Sequence, residues 1–272
     1  MPIENHLHVW EDRFLYTCTH HSSGWSRRSS LSLLVSATGN PFALTLQGAP
    51  PRACSAALVA PHELRSLEAS DCPLLVLDID PCMPAWRSLV RGMGAAPMVA
   101  LEAGAFAGLG GDMAAAVCHQ RSAPALHTLS EALLQTACAA LGVALVPAPL
   151  DARVQAMLAL MRSTAAHGGV PLQVLARQSC LSPDRVTHLF REQAGLSIKR
   201  YQLWLKVRRA FAHIHAGRPL AECAWLGGFT DAAHMSHTYR QLFDVSPSAL
   251  RAQELLQLHM HAVPSSASAG FG

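Results

Sequence analysis

Hydrophobic and polar positions are arranged differently in the two halves of this chain. In the first eighty residues the apolar runs are short and partly β-branched: Leu31–Ser36 (LSLLVS), Phe42–Leu46 (FALTL), Ala56–Val59 (AALV) and Leu74–Ile79 (LLVLDI). Clusters of Gly, Pro, Ser and Asn separate them, which predicts strands of an antiparallel sheet. After Pro84 the texture turns to Ala and Leu. Leu126, Leu129, Leu133, Leu134, Ala137 and Leu141 fall on one stripe of a helix over Ala125–Leu141, and Gly142 stops it. That stripe can pack on the sheet or against a second copy of the chain. Val146–Leu150 (VPAPL) carries two prolines that cannot continue a helix, so it reads as a linker. Asp151 then caps a helix running to about His167, with Val154, Leu158 and Met161 on one face.

The rest of the pattern is a repeat. Leu172–Ser197 and Leu220–Arg251 each read as a short helix, a tight turn and a second helix of the size that fills a DNA major groove. In the first unit Pro171 opens a helix whose buried side is Leu172, Leu175 and Ala176. Ser182 caps the second helix, with Pro183 at its first position. Val186, Leu189 and Phe190 define the inward face, which leaves Asp184, Arg185, Thr187, His188 and Arg191 outward, as on a recognition helix. In the second unit Leu220, Cys223 and Ala224 point inward, Gly227-Gly228-Phe229 turns, and Thr230 caps a helix with Met235, Tyr239 and Leu242 as its core stripe. Ala232, Ala233, Ser236, His237 and Arg240 face out. Between the units Ile198–His215 forms one helix, with Tyr201, Val207, Ala210 and Ile214 on its core side. Its cations Lys199, Arg200, Lys206, Arg208 and Arg209 make it the most basic segment, suited to phosphate contact.

The pattern LA-x(4)-LS-x(6)-LF-x(4)-G-x(5)-Y from Leu175 to Tyr201, and GF-x(5)-M-x(3)-Y-x(3)-F-x-VSP from Gly228 to Pro247, resembles the AraC/XylS family of transcription regulators. The resemblance implies two helix-turn-helix subdomains joined by a long helix, with both recognition helices in neighbouring major grooves about 34 Å apart. It implies double-stranded DNA, RNA polymerase, a small-molecule effector and a second copy of the chain as partners, and activation as the usual outcome. Ala232 and Ala233 stand where relatives often carry larger polar side chains, and Gly227 replaces a bulkier apolar residue. Alanine offers a base only a methyl contact, so specificity is expected to lean on the first unit, with the second giving backbone contacts and shape readout.

Ala56–Pro81 resembles the strand–Pro-His–strand passage of the small cupin-like β-barrel often joined to such a DNA-binding domain. The expected fold is therefore α+β: a cupin-like antiparallel barrel with helices over 1–145, a linker over 146–150, an all-α unit of two helix-turn-helix motifs and a long helix over 151–260, and a disordered tail over 261–272. His62 is the first effector-pocket candidate, and Trp10, Phe14, Trp25, Phe42 and Trp86 are apolar ones.

Charge fits this division. Residues 1–150 carry 8 Lys and Arg against 11 Asp and Glu, and the remainder 13 against 7. The eight cysteines include no C-x-x-C pair, and Cys54, Cys72 and Cys82 form a thiol sensor only if they meet in space. In the N-terminal half H-x-H stands at His6 and His8, and His20-His21 follows, without a carboxylate to complete a cupin metal set. No metal, no cofactor and no enzymatic activity are expected. There is no G-x-S-x-G elbow, phosphate loop or H-E-x-x-H pair. The alternative reading is a cupin-type metalloenzyme, or a thiol or metal sensor, fused to a DNA-binding domain. A polar N-terminus and the lack of an apolar run of about 18 residues predict a cytoplasmic protein without a membrane span.

Overall fold

The computed structural model describes residues 5–28, 30–80, 83–145, 150–164, 169–243, 245–252 and 256–261. Nine strands come first: β1 (His6–Val9), β2 (Arg13–Cys18), β3 (His21–Arg27), β4 (Leu31–Ser36), β5 (Phe42–Leu46), β6 (Arg52–Cys54), β7 (Ala56–Val59), β8 (Leu64–Ala69) and β9 (Leu74–Ile79). Helix α1 (Pro84–Met93), strand β10 (Met98–Ala100), a 3-10 segment (Ala103–Leu109) and helices α2 (Gly110–Val117) and α3 (Ala123–Ala140) follow. The helical part holds α4 (Ala152–Thr164), α5 (Leu172–Ser179), α6 (Pro183–Ala194), α7 (Ile198–His215), α8 (Leu220–Gly227), α9 (Ala232–Phe243) and α10 (Pro247–Ala252), and β11 (Gln257–Met260) closes the described chain. The architecture is thus α+β, with a sheet-rich N-terminal region and a helical C-terminal region. The four strands expected from their apolar runs form with the expected bounds, as β4, β5, β7 and β9. Most of the expected linker, 146–149, and the tail beyond 261 lie outside the described residues.

Two sheets organise the N-terminal region. One has the order β10-β7-β4-β9-β2-β1-β11 and the other β3-β8-β5-β6. Strands β4, β7 and β9 are buried along their whole length, because both faces of the larger sheet are covered. Alternation sorts their side chains. Leu31, Leu33, Val35, Leu75, Leu77 and Ile79 meet α1, α2 and α3 on one face. Leu34, Leu74 and Val76 meet Phe42, Leu44 and Leu67 of the smaller sheet on the other. The stripe of α3 is used here too: Leu126, Leu129, Leu133, Leu134 and Ala137 are buried within this chain.

The larger sheet is wider than the smaller one, and its flank of β2, β1 and β11 needs another cover. The helical region supplies it. Leu7, Val9 and Phe14 join one core with Trp204 and Phe211 of α7. The Phe14 ring lies 4.7 Å from Trp204 and 5.4 Å from Phe211. At the edge of this contact the Trp204 indole N–H donates to the fully buried Asp80 carboxylate at 2.9 Å, and Arg208 approaches the same carboxylate at 3.8 Å. Arg208 also donates to the Trp10 carbonyl at 3.3 Å.

One boundary differs from expectation. The sequence assigns residues through 260 to the helical unit, yet β11 leaves that unit and pairs in parallel with β1, Leu258 beside Leu7 and His259 beside His8. The reason is amphipathic: Leu258 and Met260 face the α7 core, while His259 turns to the opposite side.

Replacing Asp80 with Ala would leave the buried Trp204 N–H without its acceptor and Arg208 without its anion. Stability should fall by about 3 kcal/mol, read as a lower urea midpoint. An unchanged midpoint would mean that the two regions dock without this carboxylate.

Candidate nucleic-acid interface and interdomain cavity

The first helix-turn-helix unit is α5 and α6. Leu175 and Ala176 bury the inner side of α5. The turn passes through Cys180 at φ 53°, a left-handed conformation that ends α5. The Ser182 hydroxyl accepts from the Arg185 backbone N–H at 3.4 Å, and this cap starts α6. Val186 and Phe190 are fully buried and Leu189 half-buried, so the opposite face is set. Ser182, Asp184, Arg185, Thr187, His188 and Arg191 are all exposed on it, as the spacing predicts.

The second unit is α8 and α9. Gly228, at φ 82°, ends α8 where Cys180 ends α5. Gly227 has a packing reason: a Cβ there would lie 3.0 Å from the Ala210 Cβ of α7, so a bulkier residue would push α8 off the long helix. The cap differs from expectation. Asp231, rather than Thr230, accepts from the His234 backbone N–H at 2.7 Å, because the helix begins one residue later; Thr230 is exposed and contacts the His234 ring. Ala233, His237 and Arg240 are exposed on α9. Ala232 and Ser236 are only half-exposed, and Ala232 packs against the helical core, which accounts for a small residue there.

The basic helix α7 divides its cations. Lys199 and Arg200 are exposed, but Arg200 lies on the side of His62 of the N-terminal region: burial, then Arg200, lowers that imidazole to about 4. Lys206 and Arg209 are half-buried beside Met161 and Gln202. Burial, then Arg208, brings Arg209 down to about 10. Arg208 serves the Asp80 contact. The expected row of phosphate-facing cations on α7 is therefore not one surface. What sequence spacing misses is a second apolar stripe, Trp204 and Phe211, seven residues apart with Arg208 between them.

Where the end of α9 and the start of α10 meet β1, β2 and β3 there is a cavity of about 390 Å³. Leu7, Tyr16, Phe211, Phe243, Val245 and Leu250 give it apolar walls, and His20, His21, Ser22, Ser23 and Arg28 a polar end. The Arg28 guanidinium stands 5.7 Å over the Phe243 ring and pairs with Asp78, while its Nε is buried without a hydrogen-bond partner. Asp78 also accepts from Ser30 at 2.9 Å and from Ser32, which in turn accepts from Arg65 at 3.0 Å. Arg65 is fully enclosed, and burial lowers it to about 9. Arg28 is the cation that lines this end; Arg65 and Asp78 stand behind it, and Glu68 accepts from the lining Ser22 at 2.5 Å. Burial, then Arg28 and Arg65, holds the His21 imidazole neutral at about 4, and Tyr16 Oη shares a hydrogen with its Nδ1 at 3.2 Å.

With this geometry, comparison with known proteins is decisive for the helical part. The family described as a helix-turn-helix domain matches residues 175–253. The arabinose operon regulatory protein of Salmonella typhimurium is 30% identical over 125 residues, 46% of this chain and 44% of the relative. Over this part the chain carries a helix-turn-helix domain similar to that of this operon regulator. Its match thus spans less than half of that regulator's length. Two crystal structures of ToxT from Vibrio cholerae share the whole fold at low identity. An apo variant has a TM-score of 0.56 at 10% identity, covering 88% of this chain and 96% of its own. The wild type bound to an unsaturated fatty acid has 0.53 at 11%, covering 89% and 95%.

The effector candidates named from an AraC/XylS-type sensory domain do not share one cavity. Phe14 is buried behind Phe211 and Phe243. Trp10 lies on the helix-facing side of the sheet, near His127. Phe42 is core of the smaller sheet, and Trp86 packs on Gly195 at the end of α6. Trp25 is 53% exposed. His62, at φ 69°, has a buried Nε2 without a partner but does not line the cavity above. The residues that do line it were hidden because they come from both ends of the chain. Among the candidate sensor thiols, Cys54 and Cys72 share a core where burial pushes Cys54 up to about 11 and raises Cys72 also, the opposite of a reactive thiolate; Cys82 lies outside the described residues.

A histidine cluster also stands apart from the nucleic-acid interface. His6, His8 and His259 have ring nitrogens all within 4.8 Å of one another. His8 is lowered to about 3 by burial and by its imidazole neighbours, His259 first. The H-x-H of His6 and His8 is thus joined by a second H-x-H, His259 and His261, 253 residues further along. That motif is visible in the sequence; the parallel β1–β11 pairing that joins the two is not.

His188→Ala and Arg191→Ala should each weaken operator binding by roughly 1–2 kcal/mol at fixed salt, measured by gel-shift titration. Unaltered affinity in either variant would remove that side chain from the DNA-facing set.

Proposed function

We propose that this chain is a sequence-specific, effector-responsive transcription regulator whose effector is an amphipathic anion. The observation that carries the reading is the interdomain cavity, walled by apolar side chains, lined at one end by Arg28 with a buried Nε that has no hydrogen-bond partner, and touching the last turn of α9. The exposed faces of α6 and α9 read DNA: Asp184, Arg185, Thr187, His188 and Arg191 from the first, Ala233, His237 and Arg240 from the second, with Ser182, Lys199 and Thr230 at the margins. Ala232, Ser236, Arg200, Lys206 and Arg209 support that surface rather than form it.

In this proposal residues 1–145 are a cupin-like sensory barrel, and 151–252 form the DNA-binding unit. A carboxylate head would take the Arg28 end and an alkyl or aryl tail the Phe211–Phe243 walls. ToxT, which shares the fold, has been crystallised with an unsaturated fatty acid, which supports this class of ligand. Phe243 ends α9, so a molecule seated against it bears directly on the second recognition helix. A homodimer, contact with RNA polymerase, activation and a cytoplasmic setting complete the reading. Among the described residues no helix is long and apolar enough to cross a membrane.

Titration with a long-chain fatty acid, followed by calorimetry, tests this. Arg28→Gln should weaken binding about tenfold, the loss of one charge-assisted hydrogen bond. The matching fatty alcohol should bind comparably weakly to wild type. Equal affinity of wild type and Arg28→Gln for the acid, with both proteins folded, would refute an anion subsite at Arg28.

A further inference from the structure

The larger sheet carries a second constellation, on the face opposite the α7 core. β1 and β11 run in parallel with His8 beside His259, so alternation puts His6, His8, His259 and His261 on one side of two neighbouring strands. His6 Nδ1 meets His259 Nε2 at 2.9 Å, and His8 Nδ1 meets His261 Nε2 at 3.0 Å. His119, just past the end of α2 in a left-handed conformation at φ 58°, stacks its ring on His6 at 3.3 Å between centroids. His8 is 7% exposed, and its Nε2 is buried without a hydrogen-bond partner. Five imidazoles thus converge on one patch.

We propose that His6, His8 and His259 bind one divalent transition-metal ion, of the zinc, nickel, copper or cobalt class, with His261 or His119 beside the open position. Imidazole donors suit these borderline cations, whereas magnesium and calcium demand oxygen ligands. Zinc–nitrogen bonds of about 2.0–2.1 Å place tetrahedral nitrogens roughly 3.4 Å apart. The three rings already lie within 4.8 Å, a spread that small χ rotations close. The ion takes the place between His6 and His259 that a shared proton now holds. Its effect is mechanical as well as chemical. β1 belongs to the sensory sheet and β11 follows the last helix of the DNA-binding unit, so the ion clamps the two ends of the chain together. This site does not depend on the effector reading, since it lies on the other face of the sheet.

The test uses the full chain, stripped with chelator and then titrated separately with Zn²⁺, Co²⁺ and Mg²⁺. One equivalent of Zn²⁺ should remain per chain after desalting, Co²⁺ should show the intense visible bands of low-coordinate imidazole ligation, and Mg²⁺ should not compete. The double variant His8→Ala with His259→Ala should bind Zn²⁺ at least tenfold more weakly and lose the Co²⁺ bands. His188→Ala with His237→Ala, which removes two exposed imidazoles elsewhere, should keep both. If the double variant does not fold, His259→Gln at a partly exposed position provides the same comparison. Less than half an equivalent in wild type, or a wild-type affinity retained in the cluster variant, would overturn the site.

Discussion

The structure depends on how the flank of the larger sheet is covered. A sheet with two apolar faces cannot leave one of them in water, and the four-stranded sheet is too narrow to cover the strands at β2 and β1. Helix α7 closes that gap with Trp204 and Phe211 against Phe14. Burial of each such ring contributes about 1.5–3 kcal/mol. The Trp204–Asp80 hydrogen bond then fixes the orientation, because a buried indole N–H and a buried carboxylate are both costly without each other. The apolar contact gives affinity between the regions, and the polar pair selects one geometry.

This placement makes α7 the shared beam of both reading heads. α6 packs on it through Phe190 and Tyr201, and the Tyr239 hydroxyl of α9 donates to the Val207 carbonyl at 2.8 Å. Gly227 lets α8 rest directly on Ala210. One face of α7 therefore sets the spacing of α6 and α9, while another is bound to the larger sheet of the N-terminal region. A rigid element with two such interfaces cannot shift at one without loading the other. Under the proposed function, that is the physical route by which occupancy of the cavity beneath Phe243 would reach DNA.

Much of this was legible along the chain, for a local reason. Strands β4, β5, β7 and β9 are continuous apolar runs, and the helix-turn-helix units carry caps, turns and 3.6-residue stripes whose meaning is contained within twenty residues. The legibility stops where a residue's partner is distant. β1, β3 and β8 carry His, Ser and Arg among their apolar positions, and Arg65 of the smaller sheet finds its partners, Ser32 and Asp78, only in the facing larger sheet. Arg208 looks like its neighbours on α7 until Asp80 is brought to it. Thr230 and Asp231 were both competent caps, and the choice between them rested on where the helix starts, a matter of one residue.

The second recognition helix shows how a departure in sequence can be packing rather than lost function. Its small residues divide: Gly227 and Ala232 are small because α7 and the core lie against them, whereas Ala233 is small on an exposed surface. Only the last bears on base contact. His237 and Arg240 remain on the same exposed face, one and two turns further along, so the helix retains polar groups beyond its first turn. Phe243, at the end of the helix, packs against Phe14 of the larger sheet. Under the proposed function, groove reading by the second unit would fall on the portion of α9 nearest the N-terminal region, while α6 presents its polar face elsewhere on α7. A unit with weak intrinsic base contacts is the one whose docking a modest change in orientation can decide.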